Sequence, residues 1–458
     1  MIEPVYSPCP KRYDEMVYRR SGRSGVRIPV LALALMAVAG CGYRAPLHKS
    51  YIPTDVDSTT YSGVAPAYQE LAALMEKDTG FIPQEGNTVT LFPEGGKKWE
   101  QMMEDLDYAS ESIYIDHYRF CPDSAGTIVS RILEEKAREG VDVRVILDKG
   151  AIKKKDREEL LKMRPSGVRM EYFHKPGMLI DHIWLANGFN RDHRKILILD
   201  GQTAYLGGRN IQDPYFWEWR DADIRITGPV VQDITSIFEE NQQRVAPEWG
   251  KAQVAKDLNH AALMDNIPEM KQYSDVTVQM VAESPTDHKL PIRNCFEWAI
   301  EHAQRYFWFY NPYTPAPAST IQALKDAAAR GVDVRWIAPA NNDVKLEKSM
   351  GESLYKELLE AGVRIYEWQG EVLHTKQFMS DDYLLILGSA NLDNLSFFLN
   401  YEVVALVYNS DVTRDAAALY LKELWQHCEE ITSEEVQQWS AFRKFRNWFI
   451  RTFGGPIG

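Results

Sequence analysis

Cysteine is scarce. The chain has five in 458 residues (Cys9, Cys41, Cys121, Cys295 and Cys428), no two of them spaced C-x-x-C. That excludes a disulfide scaffold and a zinc site of the paired-cysteine kind. Basic charge is also short: 52 Lys and Arg stand against 65 Asp and Glu, a formal charge of −13. So acidic a chain makes a poor general binder of nucleic acid, because phosphate affinity comes largely from Lys and Arg. The ordinary share of hydrophobic (45%) and charged (26%) residues excludes a mostly disordered chain. The length suggests about three domains, or two large ones.

The first forty residues read as an address. Arg19, Arg20, Arg23 and Arg27 precede a charge-free run of thirteen residues, Ile28–Gly40. A crossing helix needs ~20 apolar residues, so the run is too short to span a bilayer and suits the core of a signal peptide. It ends in Val38-Ala39-Gly40-Cys41, which resembles the lipobox of bacterial lipoproteins. The resemblance implies cleavage before Cys41, acylation of that residue, and a membrane-anchored protein of the bacterial cell envelope. Gly42 after the anchor resembles an outer-membrane sorting signal; a plain secretory signal is the alternative. Residues 1–40 hold six bases and three acids, so the chain from Cys41 onward has a formal charge near −16. A covalent lipid would then supply the anchoring, at ~0.8 kcal/mol per buried methylene.

The strongest signal is an internal repeat. Residues 193–221 and 374–402 align at an offset of 181. His193 falls on His374, Lys195 on Lys376, Asp200 on Asp381, Gly207 on Gly388 and Asn210 on Asn391, while Asp221 falls on Glu402. Upstream, Gly140-Val-Asp-Val-Arg144 recurs as Gly331-Val-Asp-Val-Arg335, and Gly167-Val168-Arg169 as Gly362-Val363-Arg364. Apolar stripes at helical spacing (Ile128, Val129, Ile132, Leu133; Ile321, Leu324, Ala328) precede Gly140 and Gly331, which suit left-handed helix stops. Strands are expected at Ser112–Tyr118, Val141–Leu147, Lys195–Leu199, Ala204–Gly207, Ile224–Thr227, Phe307–Tyr310, Val332–Ala338, Tyr383–Gly388 and Glu402–Val407. The alternation predicts an α/β fold, twice over. Expected boundaries are a tether at 41–85, a first repeat at 86–265, a second at 266–433 and a tail at 434–458. The first repeat carries an insert around His174–Asn190.

Side chains at i and i+2 of a strand share a face, so His193 lies beside Lys195 and His374 beside Lys376. An imidazole next to an ammonium makes a poor metal ligand and a good phosphate site. The Lys neutralises phosphoryl oxygens while the His attacks phosphorus or moves a proton. No metal or cofactor is called for. Asp221 and Glu402, each 28 residues after its repeat's histidine, are placed to accept the imidazole proton and fix the ring.

His-x-Lys-x4-Asp followed by Gly-Ser/Gly-x-Asn, in two copies, resembles the phospholipase D superfamily. Asn190-Arg-Asp-His-Arg-Lys-Ile-Leu197 and Trp219-Arg-Asp-Ala-Asp-Ile-Arg-Ile-Thr-Gly-Pro229 resemble its bacterial cardiolipin synthase branch. The resemblance implies two similar α/β/α sandwich domains packed face to face as an internal pseudo-dimer, with one cleft per chain, so that a monomer suffices. It implies His193 as nucleophile and His374 as acid/base. Lys195, Lys376, Asn210, Asn391 and Ser389 would bind phosphate, and Asp221 and Glu402 would orient the rings. Asp200 and Asp381, with Gly207 and Gly388, would be structural, and Gly208 in place of Ser389 would leave the cleft one hydroxyl short. The implied reaction joins two phosphatidylglycerols into cardiolipin through a phosphatidyl-histidine. Hydrolysis to phosphatidic acid by the same machinery is the alternative; a nuclease or a non-catalytic lipid-binding lipoprotein fits less well. The tail, with Trp439, Phe442, Phe445, Phe449 and Phe453 among Arg443, Lys444, Arg446 and Arg451, suits either a membrane interface or packing on the second repeat.

Overall fold

A computed structural model describes residues 60–173, 190–252, 270–286, 289–314 and 316–453, together with two short N-terminal strands, β1 (Tyr18–Arg20) and β2 (Arg27–Pro29). All but the first two residues of the apolar run, Cys41 and most of the insert before Asn190 lie outside the described residues.

The first repeat contributes β3 (Gln84–Phe92), β4 (Ser112–His117), β5 (Asp142–Asp148), β6 (Arg169–Phe173), β7 (Arg191–Asp192), β8 (Lys195–Leu199), β9 (Thr203–Gly207) and β10 (Asp223–Thr227). The second contributes β11 (Gln272–Glu283), β12 (Tyr306–Tyr310), β13 (Asp333–Pro339), β14 (Arg364–Trp368), β15 (Gln377–Ser380), β16 (Leu384–Gly388), β17 (Asn400–Tyr408) and β18 (Cys428–Ile431). They form one sheet in the order β18-β14-β13-β12-β15-β16-β17-β11-β3-β10-β9-β8-β4-β5-β6, with β7 paired to β17 off that path. Apart from the edge strand β18, the order is palindromic about the β3–β11 seam. On each side the seam strand is followed by β10 or β17, then a β-hairpin, then three parallel strands. The repeats thus join edge to edge, through an antiparallel ladder with two register irregularities, and are not merely packed face to face.

Composition explains the layers. β8 (Lys-Ile-Leu-Ile-Leu) and β16 (Leu-Leu-Ile-Leu-Gly) are buried throughout, as expected of strands covered on both faces. One core lies on the face shared by the repeats, where helices Val231–Val245 and Ser410–His427 pack with Ile196, Ile198, Leu385 and Leu387. Each repeat has a second core under its outer helices. Helix Ser124–Glu139 starts at Asp123, whose carboxylate accepts from the Gly126 N–H, and stops at Gly140 with φ 99°. Gly331, after helix Ala318–Ala329, has φ 91°.

The stretch read as a tether is partly built into the fold. Residues Gln69–Thr79 form a helix whose Leu71, Leu74 and Met75 are buried with Cys295, Phe296 and Phe378 of the second repeat. Apolar residues at 71, 74 and 75 have helical spacing, and the partner that covers them lies more than 200 residues away. Of the described cysteines, Cys295 is buried, whereas Cys121 and Cys428 are only partly so. Among the described residues, no helix is long and apolar enough to cross a membrane.

Candidate active site

Each repeat delivers its histidine from the start of a hairpin, at the end of β8 or β15 away from the turn. The turn residues Asp200 and Asp381 have φ 51° and 52°. Asp200 accepts from the N–H groups of Glu111 and Ser112, both at 2.8 Å, and Asp381 from those of Gln304 and Arg305, at 2.7 and 2.8 Å. Both carboxylates tie the hairpin to the start of the neighbouring strand, about a strand's length from the histidines.

The histidines are held crosswise. His193 Nδ1 lies 2.8 Å from Glu402 Oε1, and His374 Nδ1 lies 2.7 Å from Asp221 Oδ2. Each acid therefore serves the imidazole of the other repeat, not the one 28 residues before it. The backbones cross in the same way. The His193 N–H donates to the Tyr401 carbonyl (2.9 Å) and the His374 N–H to that of Arg220 (2.8 Å). Two short parallel contacts support the exchange: β7 on β17, pairing Asn400 with Arg191 and Tyr401 with Asp192, and the bridge Arg220–Leu373. The Arg220 guanidinium, paired with Glu423 at 2.9 Å, adds a further link between repeats.

The acids are themselves fixed. Glu402 accepts from Ser389 Oγ, from Ser396 Oγ at 2.9 Å and from Asn400 Nδ2 at 3.1 Å. Ser389 thus directs its hydroxyl at Glu402 and accepts from the Val403 N–H at 3.0 Å. Asp221 accepts from the Ala222 N–H at 2.8 Å. A Cβ on Gly208 would collide with the Asp221 carboxylate, so the glycine leaves room for a shorter acid and is not simply a missing hydroxyl. Gly207 and Gly388 pass so close to the carbonyls of Ala222 and Val403 that a Cβ would collide there too. Asn210 Oδ1 accepts from the Arg119 N–H at 3.0 Å, and its side chain also hydrogen-bonds the buried Tyr215 hydroxyl. Buried Asn391 Oδ1 has no hydrogen-bond partner among the described residues.

Burial and like charge set the protonation. Burial pushes His193 down to about 4, against the pull of Glu402 and with help from Lys195 and Lys376. His374 is lowered by burial and by Lys376, whose Nζ lies 3.1 Å from its Nε2. Burial also lowers Lys195 to about 7, with Lys376 adding to the shift, and Lys376 to about 8. Both histidine shifts favour the uncharged imidazole in the empty site, and each Nδ1 lies on a carboxylate. A bound anion would relieve the crowding of positive charge. Lys376 enters the electrostatics of both His193 and Lys195, so the charged groups of the two motifs share one environment.

Sequence reasoning missed the aromatic walls. Tyr118 stands edge-on to His193 at 4.7 Å with Lys195 Nζ 5.2 Å from its ring. Tyr215, Trp219 and Tyr313 lie 5.3, 5.7 and 5.9 Å from the His374 ring. The cluster Tyr215-Phe-Trp-Glu-Trp219, directly after the first motif, was the available signal. Phe307 and Phe309, by contrast, fill the outer core, and Trp308 and Tyr310 the inner one.

The family model described as cardiolipin synthase, phospholipase D-like domain, matches residues 102–242 and 297–426. The chain is 34% identical to a cardiolipin synthase of Geobacillus sp. (strain WCH70), covering 75% of this chain and 67% of the relative. It is 29% identical to a probable cardiolipin synthase of Bacillus subtilis (strain 168), over 81% of this chain and 72% of that one. Among solved structures, phosphatidylserine synthase of Haemophilus influenzae Rd KW20 superposes with a TM-score of 0.61 at 15% identity, covering 81% of this chain and 94% of that one. This last likeness concerns the fold.

Proposed function

The chain belongs to the cardiolipin synthase family with a phospholipase D-like domain, and from that membership we propose that it joins two phosphatidylglycerols into cardiolipin and releases glycerol. In the first step His193 Nε2 attacks the donor's phosphorus while the bond from phosphorus to the glycerol oxygen breaks. That oxygen takes a proton from Nε2 of His374, whose protonated form the bound phosphodiester's negative charge favours, glycerol leaves, and a phosphatidyl-histidine remains. In the second step His374 removes the proton from a hydroxyl of the acceptor phosphatidylglycerol. The new oxygen attacks phosphorus, the P–N bond breaks, and His193 is restored. Lys195, Lys376, Asn210 and Asn391 hold the non-bridging oxygens, where charge-assisted donors stabilise the transition state.

The observation that carries this reading is the crossed pair of acid–histidine hydrogen bonds, which supports a single centre shared by both motifs. The downward shift of His193 supports its role as nucleophile, since attack requires the free base. Because one chain supplies both halves, a monomer suffices. Aromatic walls around the imidazoles support a dry cleft, which favours an alcohol acceptor over water. Anchoring through an acylated Cys41 at the bacterial envelope belongs to the same proposal and rests on residues 28–41; mass spectrometry of the membrane-extracted protein would show diacylglycerol on Cys41.

The deciding experiment is incubation with radiolabelled phosphatidylglycerol in liposomes. Cardiolipin with equimolar glycerol is the expected result; phosphatidic acid alone would make the protein a hydrolase.

A further inference from the structure

The last helix, Ala441–Phe453, is clamped along one side and exposed along another. On the clamped side, Trp439 packs on Tyr355 with centroids 5.9 Å apart. Arg443 and Arg446 both reach Glu352 of helix Lys345–Glu360, Arg443 at 2.8 Å, and Asn447 is buried. On the exposed side, Phe442, Phe445, Trp448 and Phe449 follow the spacing of one helical stripe. Their exposures are 77%, 60%, 56% and 49%, and the Phe445 ring lies 5.8 and 6.3 Å from those of Trp448 and Phe449. An aromatic stripe of this size facing water marks an interaction surface.

Charge and position say what covers it. From Ser440 to Gly458 the chain holds Arg443, Lys444, Arg446 and Arg451 and no acid, within a protein of net charge −13. A locally basic, aromatic-rich helix on an acidic body fits an anionic, partly apolar surface. The helix that carries it begins at the active site. Asp343, two residues before Lys345, accepts from the Tyr313 hydroxyl at 2.6 Å, and Tyr313 stands edge-on to His374. Beside it, Val344 and Leu346 are exposed. We infer that the Phe442–Phe449 face lies in the headgroup region of a bilayer containing anionic phospholipid and sets the cleft mouth at that surface. The inference goes beyond the reaction itself and holds for a protein with a disabled active site.

Hydrogen–deuterium exchange of the full-length protein, with and without vesicles, tests it through the amides of residues 440–449. Mixed phosphatidylcholine/phosphatidylglycerol vesicles should slow exchange there, and phosphatidylcholine alone should not. Phe442→Gln with Phe445→Gln should abolish the slowing. Lys444→Glu, which keeps every aromatic, should weaken it roughly tenfold in lipid concentration. Activity gives a second reading: the double variant should lose turnover on vesicles and keep it on detergent-dispersed lipid. No slowing on anionic vesicles, or equal slowing on neutral ones, overturns the inference. Slowing that depends on protein concentration without lipid would instead assign the face to a second copy of the chain.

Discussion

Glu402 and His193 are hydrogen-bonded at 2.8 Å although one closes the second repeat's motif and the other opens the first's. The reciprocal bond, Asp221 to His374 at 2.7 Å, completes the exchange. Neither repeat can orient its own imidazole, so the site exists only where the two meet. A buried carboxylate on Nδ1 fixes the tautomer that leaves Nε2 free, and in other enzymes loss of such a partner costs up to about 10⁴-fold.

The crossing makes the acid variants separable. Glu402→Gln should shift the imidazole titration of His193 downward by about one unit and leave that of His374 in place; Asp221→Asn should do the reverse. NMR of ring-labelled histidines reads both, and a shift of the histidine in the acid's own repeat would refute the pairing.

His193→Ala and His374→Ala should each abolish cardiolipin formation from phosphatidylglycerol. A substrate with a nitrophenol leaving group needs no acid, so it divides the roles. On it, His374→Ala should still release a burst of nitrophenol matching the enzyme concentration, and His193→Ala none. A burst from the His193 variant would reverse the assignment.

The lysines make anion binding depend on pH. Lys195 sits near 7 and Lys376 near 8 in the empty site. A bound phosphate favours their charged forms and raises both values, so binding at pH 8 must take up protons and weaken as pH rises further. Calorimetry of inorganic phosphate binding in two buffers of different ionisation enthalpy should show that uptake; a buffer-independent heat would count against it. Lys195→Ala or Lys376→Ala should lower turnover by about 10²–10³-fold.

Gly208→Ser copies the second repeat and should nonetheless impair the enzyme, because the added Cβ meets the Asp221 carboxylate that holds His374. The expected destabilisation is about 1–3 kcal/mol, as for other overpacked sites, with lower turnover. Adding Asp221→Glu, the second repeat's own combination, should recover part of both in melting and turnover assays. No loss in the single variant would show that the carboxylate has room to move.

Much of this protein was legible from order along the chain. The offset of 181 exposed the doubled motif, and period-two geometry put each lysine beside its histidine. Apolar runs located β8 and β9 of the first motif and β16 of the second, though not the short β15, since local hydrophobic pattern and turn residues dictate strands and hairpins. Partners brought together from distant segments were decided only by the tertiary structure. The seam of β3 on β11 places the repeats about a pseudo-twofold axis, and that axis sends each acid to the opposite imidazole. It also decides that Ser389 serves Glu402, that the helix Gln69–Thr79 packs on the second repeat, and that Tyr313 and Trp219 converge on His374. Spacing in a sequence specifies neighbours on one strand or helix, whereas burial of two apolar faces against each other selects which separated segments meet.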